Sequence, residues 1–362
     1  MNQGLTNLGA KVVRRLLSVH KPLVRIARRR ARNAEQSGFR REALAVEREI
    51  AEVASGAAPI IAGPWLAEVG YEVLYWIPFL RWFTDKHGIL PSRLIVVSRG
   101  GVRHWYADLA ATYVDMFDHM SPGHLGARNM TRQTREEQGG QKQTAAGALD
   151  QEILGVVRAR LGVRDAKVCH PSLLFRLFRH VWYGNLPLDF FWTRTRYVRI
   201  PETPSNTDVV AGLPSTFATA KFYSGTALPL TDANQALVRA LVGRVALTMP
   251  IVSLESDFGV DEHRDFDVAG IPNVLSARQW MTAATNLGMQ SELVARSTFF
   301  LGTCGGLAWQ APFLGVPTTA VYADDQLLGA HLMIARQAGR SVGAAEFAPL
   351  DLRALRRVGL DS

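Results

Sequence analysis

The sequence predicts an α/β protein: two Rossmann-like domains facing across a cleft, preceded by a basic helical leader. Three observations carry this. From residue 56 onward, apolar runs, glycine-containing turns and amphipathic stretches alternate, which is the rhythm of parallel sheets covered by helices. The rhythm breaks at the polar, proline-marked run Pro201-Glu202-Thr203-Pro204-Ser205-Asn206 and then restarts, as expected of an interdomain linker. The first 55 residues follow a different pattern, rich in Arg and Lys. The expected division is therefore a leader at 1–55, a first domain at 56–205 and a second at 206–362.

Within the leader, Leu5, Leu8, Val12, Leu16 and Leu17 recur at helical spacing among Lys11, Arg14, Arg15 and Lys21. Pro22 interrupts the helix, and Arg25, Arg28, Arg29, Arg30 and Arg32 follow, with no acidic residue before Glu35. A mixed-charge helix is expected around Arg40 to Ile50. Two readings fit the basic stretch 1–32. It docks on an anionic membrane surface, where each basic residue contributes about 1 kcal/mol, or it packs on the domain behind it. A single aromatic, Phe39, and no base-reading module argue against nucleic acid as a partner.

In the first domain, Pro59 to Gly63 reads as a strand, Glu72 to Phe83 as a helix, and Arg93 to Ser98 as a second strand ending in Arg99-Gly100-Gly101. The stretch Asn129 to Gly147, rich in Gln, Thr, Arg and Gly, is expected to be a loop, either a lid or a surface insertion. In the second domain, Phe217 to Phe222 is an expected strand and Thr231 to Arg244 a helix capped by Thr231 or Asp232. Ile251 to Leu254 is a strand, Asn286 to Arg296 a helix, and Thr298 to Leu301 and Thr318 to Tyr322 are further strands.

Composition bounds the chemistry. The balance of 41 Lys and Arg against 32 Asp and Glu gives a formal charge of +9, which suits a phosphate-rich ligand or an anionic surface. Cys169 and Cys304 are far apart and lack CxxC spacing, so no disulfide framework or structural zinc is expected and a reducing cytoplasm fits. No apolar run approaches the roughly 18 residues of a membrane span, and the basic residues of the N-terminus lie within and after its apolar ones, unlike a secretory signal. The expected place is the cytoplasm, with peripheral contact to the inner face of the membrane left open through the leader.

The most informative local feature is Gly302-Thr303-Cys304-Gly305-Gly306, a glycine turn between a strand and a helix. Such a turn offers a concave array of backbone N–H groups for phosphate, with Gly305 and Gly306 allowing close approach and Thr303 adding a hydroxyl. Glycines there also serve close helix–strand packing. Lys221, at the end of the first strand of the second domain, is placed to neutralise a departing diphosphate, or is a surface lysine.

On these residues the run Phe217 to Tyr322 resembles the nucleotide-sugar-binding domain of GT-B glycosyltransferases, and is similar in pattern to the bacterial lipopolysaccharide heptosyltransferases. The matching stretches are Ala220-Lys221-Phe222-Tyr223, Asn286-Leu287-Gly288-Met289-Gln290-Ser291-Glu292 and Leu314-Gly315-Val316-Pro317-Thr318. In the first domain Gly70-Tyr71-Glu72 and the apolar helix after it resemble that family's first strand–helix turn. The stretches Gly63 to Leu80 and Gly302 to Trp309 also resemble those of bacterial proteins linked to surface polysaccharides. Two departures stand out: Cys304 replaces the family's Asp and Trp309 its His, so no donor sugar is named by the resemblance. It implies a metal-independent glycosyltransferase without a cofactor, using a nucleotide-diphosphate sugar as substrate and a glycan or lipid-linked acceptor. Lys221, Thr303, Cys304, Gly305, Gly306, Gln290 and Glu292 are then the expected donor-binding residues.

Transfer to a hydroxyl needs a group to take its proton, which contributes about a hundredfold to ten-thousandfold. Glu72 is the first candidate base, Glu68 the second, with an acid stabilising the helix dipole as the bland alternative for either. Arg99 and His104 follow a strand at its carboxyl end, where ligands of α/β proteins bind; Arg99 and His170 are candidates for acceptor or phosphate, and His104 for catalysis. The acidic run Asp257 to Asp267 contains Asp265-Phe266-Asp267, the letters of a metal-binding Asp-x-Asp. It lacks the apolar strand that positions such a pair, so a solvated or nucleotide-edge loop is expected and no metal. Two alternatives stand beside the transferase: a nucleotide- or glycan-binding module without turnover, and a polysaccharide-modifying transferase with a non-sugar donor.

Overall fold

The structure, a computed structural model, describes residues 35–135, 143–201, 212–256, 258, 263–326 and 328–357. It contains two wholly parallel sheets with helices, the α/β class expected. The first is four-stranded in the order β3-β2-β1-β4, formed by β1 (Ile60–Ala62), β2 (Leu94–Ser98), β3 (Thr112–Asp115) and β4 (Lys167–Cys169). The second is six-stranded in the order β10-β9-β8-β5-β6-β7, with β5 (Ala218–Lys221), β6 (Ile251–Ser253), β7 (Val274–Ser276), β8 (Phe299–Thr303), β9 (Thr318–Tyr322) and β10 (Phe347–Asp351). Every residue of β1 and β2 is buried, as parallel strands covered on both faces must be.

Each sheet reverses its strand order once. In the first, β2 and β3 lie on one side of β1 and β4 on the other. In the second, β6 and β7 lie on one side of β5, and β8 to β10 on the other, with Lys221 in register with Gly302 across the reversal. Ligands of open α/β sheets bind at the carboxyl ends of strands beside such a reversal.

The helix at residues 35–54 (α1) buries Ala43, Val46, Ile50 and Ala54 in the core of the first domain. Ion pairs hold it there: Glu47 with Lys86 at 3.0 Å and with Arg194, and Glu49 with Arg176 at 2.6 Å. This part of the expected leader is thus an element of the first domain. The stretch 1–32, expected either to dock on a membrane or to pack on the protein, lies outside the described residues.

A helical rod begins with α2 (Val69–Tyr71), passes through a π-helical segment (Glu72–Trp76) and continues as α3 (Ile77–His87). Pro78 lies inside the continuous rod and lacks the N–H that would bond Leu74 O, which accepts instead from the Tyr197 hydroxyl at 2.6 Å; Gly88 ends the rod in the left-handed conformation. The loop expected at Asn129 to Gly147 is corrected by α4 (Pro122–Arg135), which extends through Asn129. Its few apolar side chains hid the helix; Leu125 and Asn129 face inward and the rest is largely polar. Next come α5 (Ala148–Leu161), α6 (Pro171–Trp182) and α7 (Leu188–Trp192).

In the second domain α8 (Asp232–Ala246) is capped by Thr231, whose hydroxyl accepts from the Asn234 amide at 3.2 Å. It is followed by α9 (Asn286–Arg296), α10 (Gly306–Gln310), α11 (Gly329–Ser341) and α12 (Leu352–Arg357). Among the described residues no helix is long and apolar enough to cross a membrane.

The domains meet through an aromatic core containing Trp65, Trp76, Phe79 and Phe175 from the first and Trp309 and Phe313 from the second. Glycines set the approach. A Cβ at Gly70 would lie 2.7 Å from the Gly306 nitrogen, and one at Gly288 would lie 2.6 Å from the Gly101 carbonyl oxygen. Because nothing projects there, the Gly288 amide donates to Gly100 O at 2.8 Å across the seam. The indole of Trp105 likewise donates to Ser291 Oγ at 3.1 Å, and His331 of α11 bonds both Tyr71 and Tyr75.

Candidate functional site

A cleft of about 410 Å³ opens between the two sheets, and its walls come from segments just beyond the carboxyl ends of strands. Arg99 follows β2, Phe117 follows β3, Lys221 ends β5, Ser256 follows β6, Arg278 follows β7 and Gly306 follows β8. The described lining holds four cationic side chains, Arg99, Lys221, Arg264 and Arg278, against two carboxylates, Glu68 and Asp265. Cations thus converge from both domains on one cavity at the point where strand order reverses, an arrangement that suits an anion with several charged oxygens.

Arg99 is the most enclosed of the four, 6% exposed. Its guanidinium donates to Trp65 O at 2.9 Å and to Ala67 O at 3.0 Å, which fixes the fork and ties down the loop leading into the rod. Its hydrogen-bond partners are neutral carbonyls, and the Glu72 carboxyl lies within its field, so an anion entering the cleft would share that positive charge. Lys221 donates from Nζ to Asp265 Oδ2 at 2.9 Å and lies 2.8 Å from Oδ1. Gln290 also lines the cleft; its amide donates to Leu254 O at 3.3 Å.

The two candidate bases separate. Glu68 is the extended residue capping the start of the rod, and it lines the cleft. Glu72 is fully buried and lies outside the cleft lining. Its Oε1 accepts from Ser98 Oγ at 2.5 Å and from the Tyr106 hydroxyl, while Oε2 has no partner among the described residues. Burial pushes its carboxyl up to about 7, against the opposing pull of Arg99 and of the two hydroxyl donors. Asp115 nearby is also raised by burial, despite accepting from the Gly101 and Phe117 amides.

Other expected residues lie outside the cleft lining, most of them held by bonds of their own. His104 is buried, its pKa pushed down to about 4 by desolvation, and Nε2 is unpartnered among the described residues. His170 caps α6: Nδ1 accepts from the Ser172 amide at 3.1 Å and Nε2 donates to Asp150 at 3.0 Å, so both nitrogens are occupied. The Thr303 hydroxyl is taken by the Tyr223 backbone, accepting from its N–H and donating to its C=O, each at 2.9 Å. Cys304 is buried, its thiol raised by desolvation, and its N–H bonds Val321 O at 2.8 Å. The glycine turn therefore offers the cleft Gly306, while Gly305 sits against the Tyr223 hydroxyl, where a Cβ would come within 2.6 Å. Glu292 is buried and pairs with Arg296 at 3.2 Å, one turn along α9.

Sequence reasoning passed over Tyr223, Arg264, Arg278 and Asn286 as cleft residues. Position after a strand would have singled out Arg278, but β7 is only three residues long and largely exposed. Asp265, read within a metal-like acidic run, instead pairs with Lys221. Asp257 and residues 259–262 of that run lie outside the described residues.

No protein-family model matches the sequence, and no curated protein matches it. Among solved structures the chain is similar to a glycosyl transferase family 9 protein from Veillonella parvula, at 14% identity and a TM-score of 0.45 over 84% of this chain and 88% of that one. It is similar to a heptosyltransferase from E. coli with ADP, at 14% identity and a TM-score of 0.37 over 84% of this chain and all 100% of the other. A UDP-GlcNAc 2-epimerase from Methanocaldococcus jannaschii is similar at 10% identity and a TM-score of 0.38 over 83% of this chain and 91% of its own.

Proposed function

We propose that this chain is a glycosyltransferase that moves a sugar from a nucleoside-diphosphate donor to a hydroxyl of a surface-glycan acceptor. The observation that carries the reading is the convergence of Arg99 with Lys221, Arg264 and Arg278 on one cleft at the strand-order reversal. The motif resemblance around Lys221 and Gln290 supports it. In the reaction the acceptor oxygen forms a bond to the anomeric carbon as the bond from that carbon to the diphosphate oxygen breaks. The cations stabilise the charge gained by the departing diphosphate, and a carboxylate takes the hydroxyl proton. Glu68 is the carboxylate assigned that role, because it is the acid from the first domain that lines the cleft.

A thermal-shift screen over GDP, UDP, ADP, CMP and their sugars tests the binding half. A ligand at a hundred times its dissociation constant stabilises the fold by about 2.7 kcal/mol. Lys221→Ala should abolish that shift for the nucleotide that gives one, with the unliganded melting temperature little changed, because no core cavity is made. Unaltered nucleotide affinity in this variant would remove Lys221 from the site. A second reading, a binding module without turnover, is favoured by the commitment of Thr303, Cys304 and Glu72 to internal contacts. Release of labelled sugar from the bound donor separates the two.

The basic stretch 1–32 is proposed to bring the cleft to an anionic membrane surface, where a lipid-linked acceptor would lie. Truncation to test this must stop before residue 35, since removing α1 would uncover Ala43, Val46 and Ile50. The full chain should sediment with anionic vesicles at low salt, and the chain lacking residues 1–34 should not. Equal sedimentation of the two would exclude the leader as the membrane contact.

A further inference from the structure

We propose that Asp265 is a resident carboxylate that masks Lys221 and that a ligand phosphate must displace it from the ammonium to bind. The inference rests on the reading of the cleft as a phosphate site. Lys221 stands at the strand-order reversal, and both of its contacts to Asp265 are under 3 Å. The pair is only partly shielded from solvent, with side chains 13% and 19% exposed, and both residues line the cleft. A ligand can therefore reach the ammonium.

Asp265 does not depend on Lys221 for its position. Its Oδ2 also accepts from the Ser256 amide at 2.9 Å. Its backbone is bridged antiparallel to Tyr223, with the Phe266 amide on Phe222 O at 3.0 Å and the Ser224 amide on Arg264 O at 2.7 Å. The carboxylate thus stays in the cleft when the lysine turns to another partner, and its charge remains beside whatever anion arrives. Like charges at such range in a partly desolvated cleft repel appreciably, so a bound diphosphate is held less tightly than the cations alone would hold it. For a transferase the consequence is release: a nucleoside-diphosphate product leaves as Lys221 returns to Asp265.

The sign of one substitution decides the matter. Asp265→Asn keeps an oxygen for the Ser256 amide and removes the charge. Measured by calorimetry at low salt, inorganic pyrophosphate should bind this variant about tenfold more tightly than the parent chain. A carboxylate that merely positioned Lys221 for phosphate gives the opposite result, and equal or weaker binding by the variant overturns the proposal while leaving the phosphate cleft standing. Failure of both proteins to bind pyrophosphate overturns the two together. Should the variant not fold, a crystal structure of the parent chain with pyrophosphate serves instead: Lys221 on a phosphate oxygen and off Asp265 supports the mask, and Lys221 still on Asp265 overturns it.

Discussion

Glu68→Gln is expected to lower sugar transfer by about two to four orders of magnitude, with donor affinity nearly unchanged. The amide keeps the size of the side chain and cannot take a proton. Donor affinity is expected to hold because most of the cleft cations, Lys221, Arg264 and Arg278, belong to the other domain. Glu72→Gln makes the internal control. Its side chain is wholly buried beneath Ser98 and Tyr106, so the same exchange four residues further on should change turnover less than about tenfold. A Glu68→Gln protein with parental turnover, measured with a confirmed donor and acceptor, would exclude it as the base. A large loss in Glu72→Gln with Glu68→Gln unaffected would mean that the proton leaves through the buried Ser98–Tyr106 pair.

The second large effect is on stability and belongs to Glu72 itself. Burial raises its carboxyl from 4.5 to about 7, so the folded state binds the proton more tightly than the unfolded chain does. The favourable contribution is complete below the unfolded value and is lost as pH climbs through the folded one. Above pH 7 the ionised carboxylate therefore costs about 3 kcal/mol relative to its protonated form. Glutamine resembles the protonated acid: it accepts from Ser98 and Tyr106 and carries no charge. Urea unfolding at pH 5 and pH 8 should show Glu72→Gln gaining on the parent chain by about that amount at the higher pH. Asp115, raised in the same direction, titrates in both proteins and adds to the lift on Glu72, so the difference reads Glu72 together with that coupling. Parallel pH profiles would mean that Glu72 does not titrate on its own account.

Much of the fold was legible because its signals are local. An apolar run bounded by turn residues marks β1, β2, β5 and β9, and the bounds of α9 follow from its periodicity and its flanking polar residues. Thr231 caps α8 with a hydroxyl that accepts from the amide three residues on, a contact whose residues are close in sequence. Elements without such signals were missed. α4 has too few apolar side chains to show a stripe, and β10 carries Pro349, which reads as a break in a strand. The sheet tolerates that proline because β10 is an edge strand.

The sequence by itself determined the α/β class and the strand-end position of Lys221, since each depends on neighbours within a few residues. Only the tertiary structure decided which polar groups face the cleft. Glu68 and Glu72 would share a face if both were helical, but Glu68 is extended and Glu72 opens the π-helical segment, so one lines the cavity and the other is buried. The Thr303 hydroxyl is consumed by a backbone eighty positions away in sequence, and the Lys221 ammonium by Asp265, forty-four positions away. A polar side chain in a fold bonds whatever the packing brings nearest, and no local pattern encodes that partner.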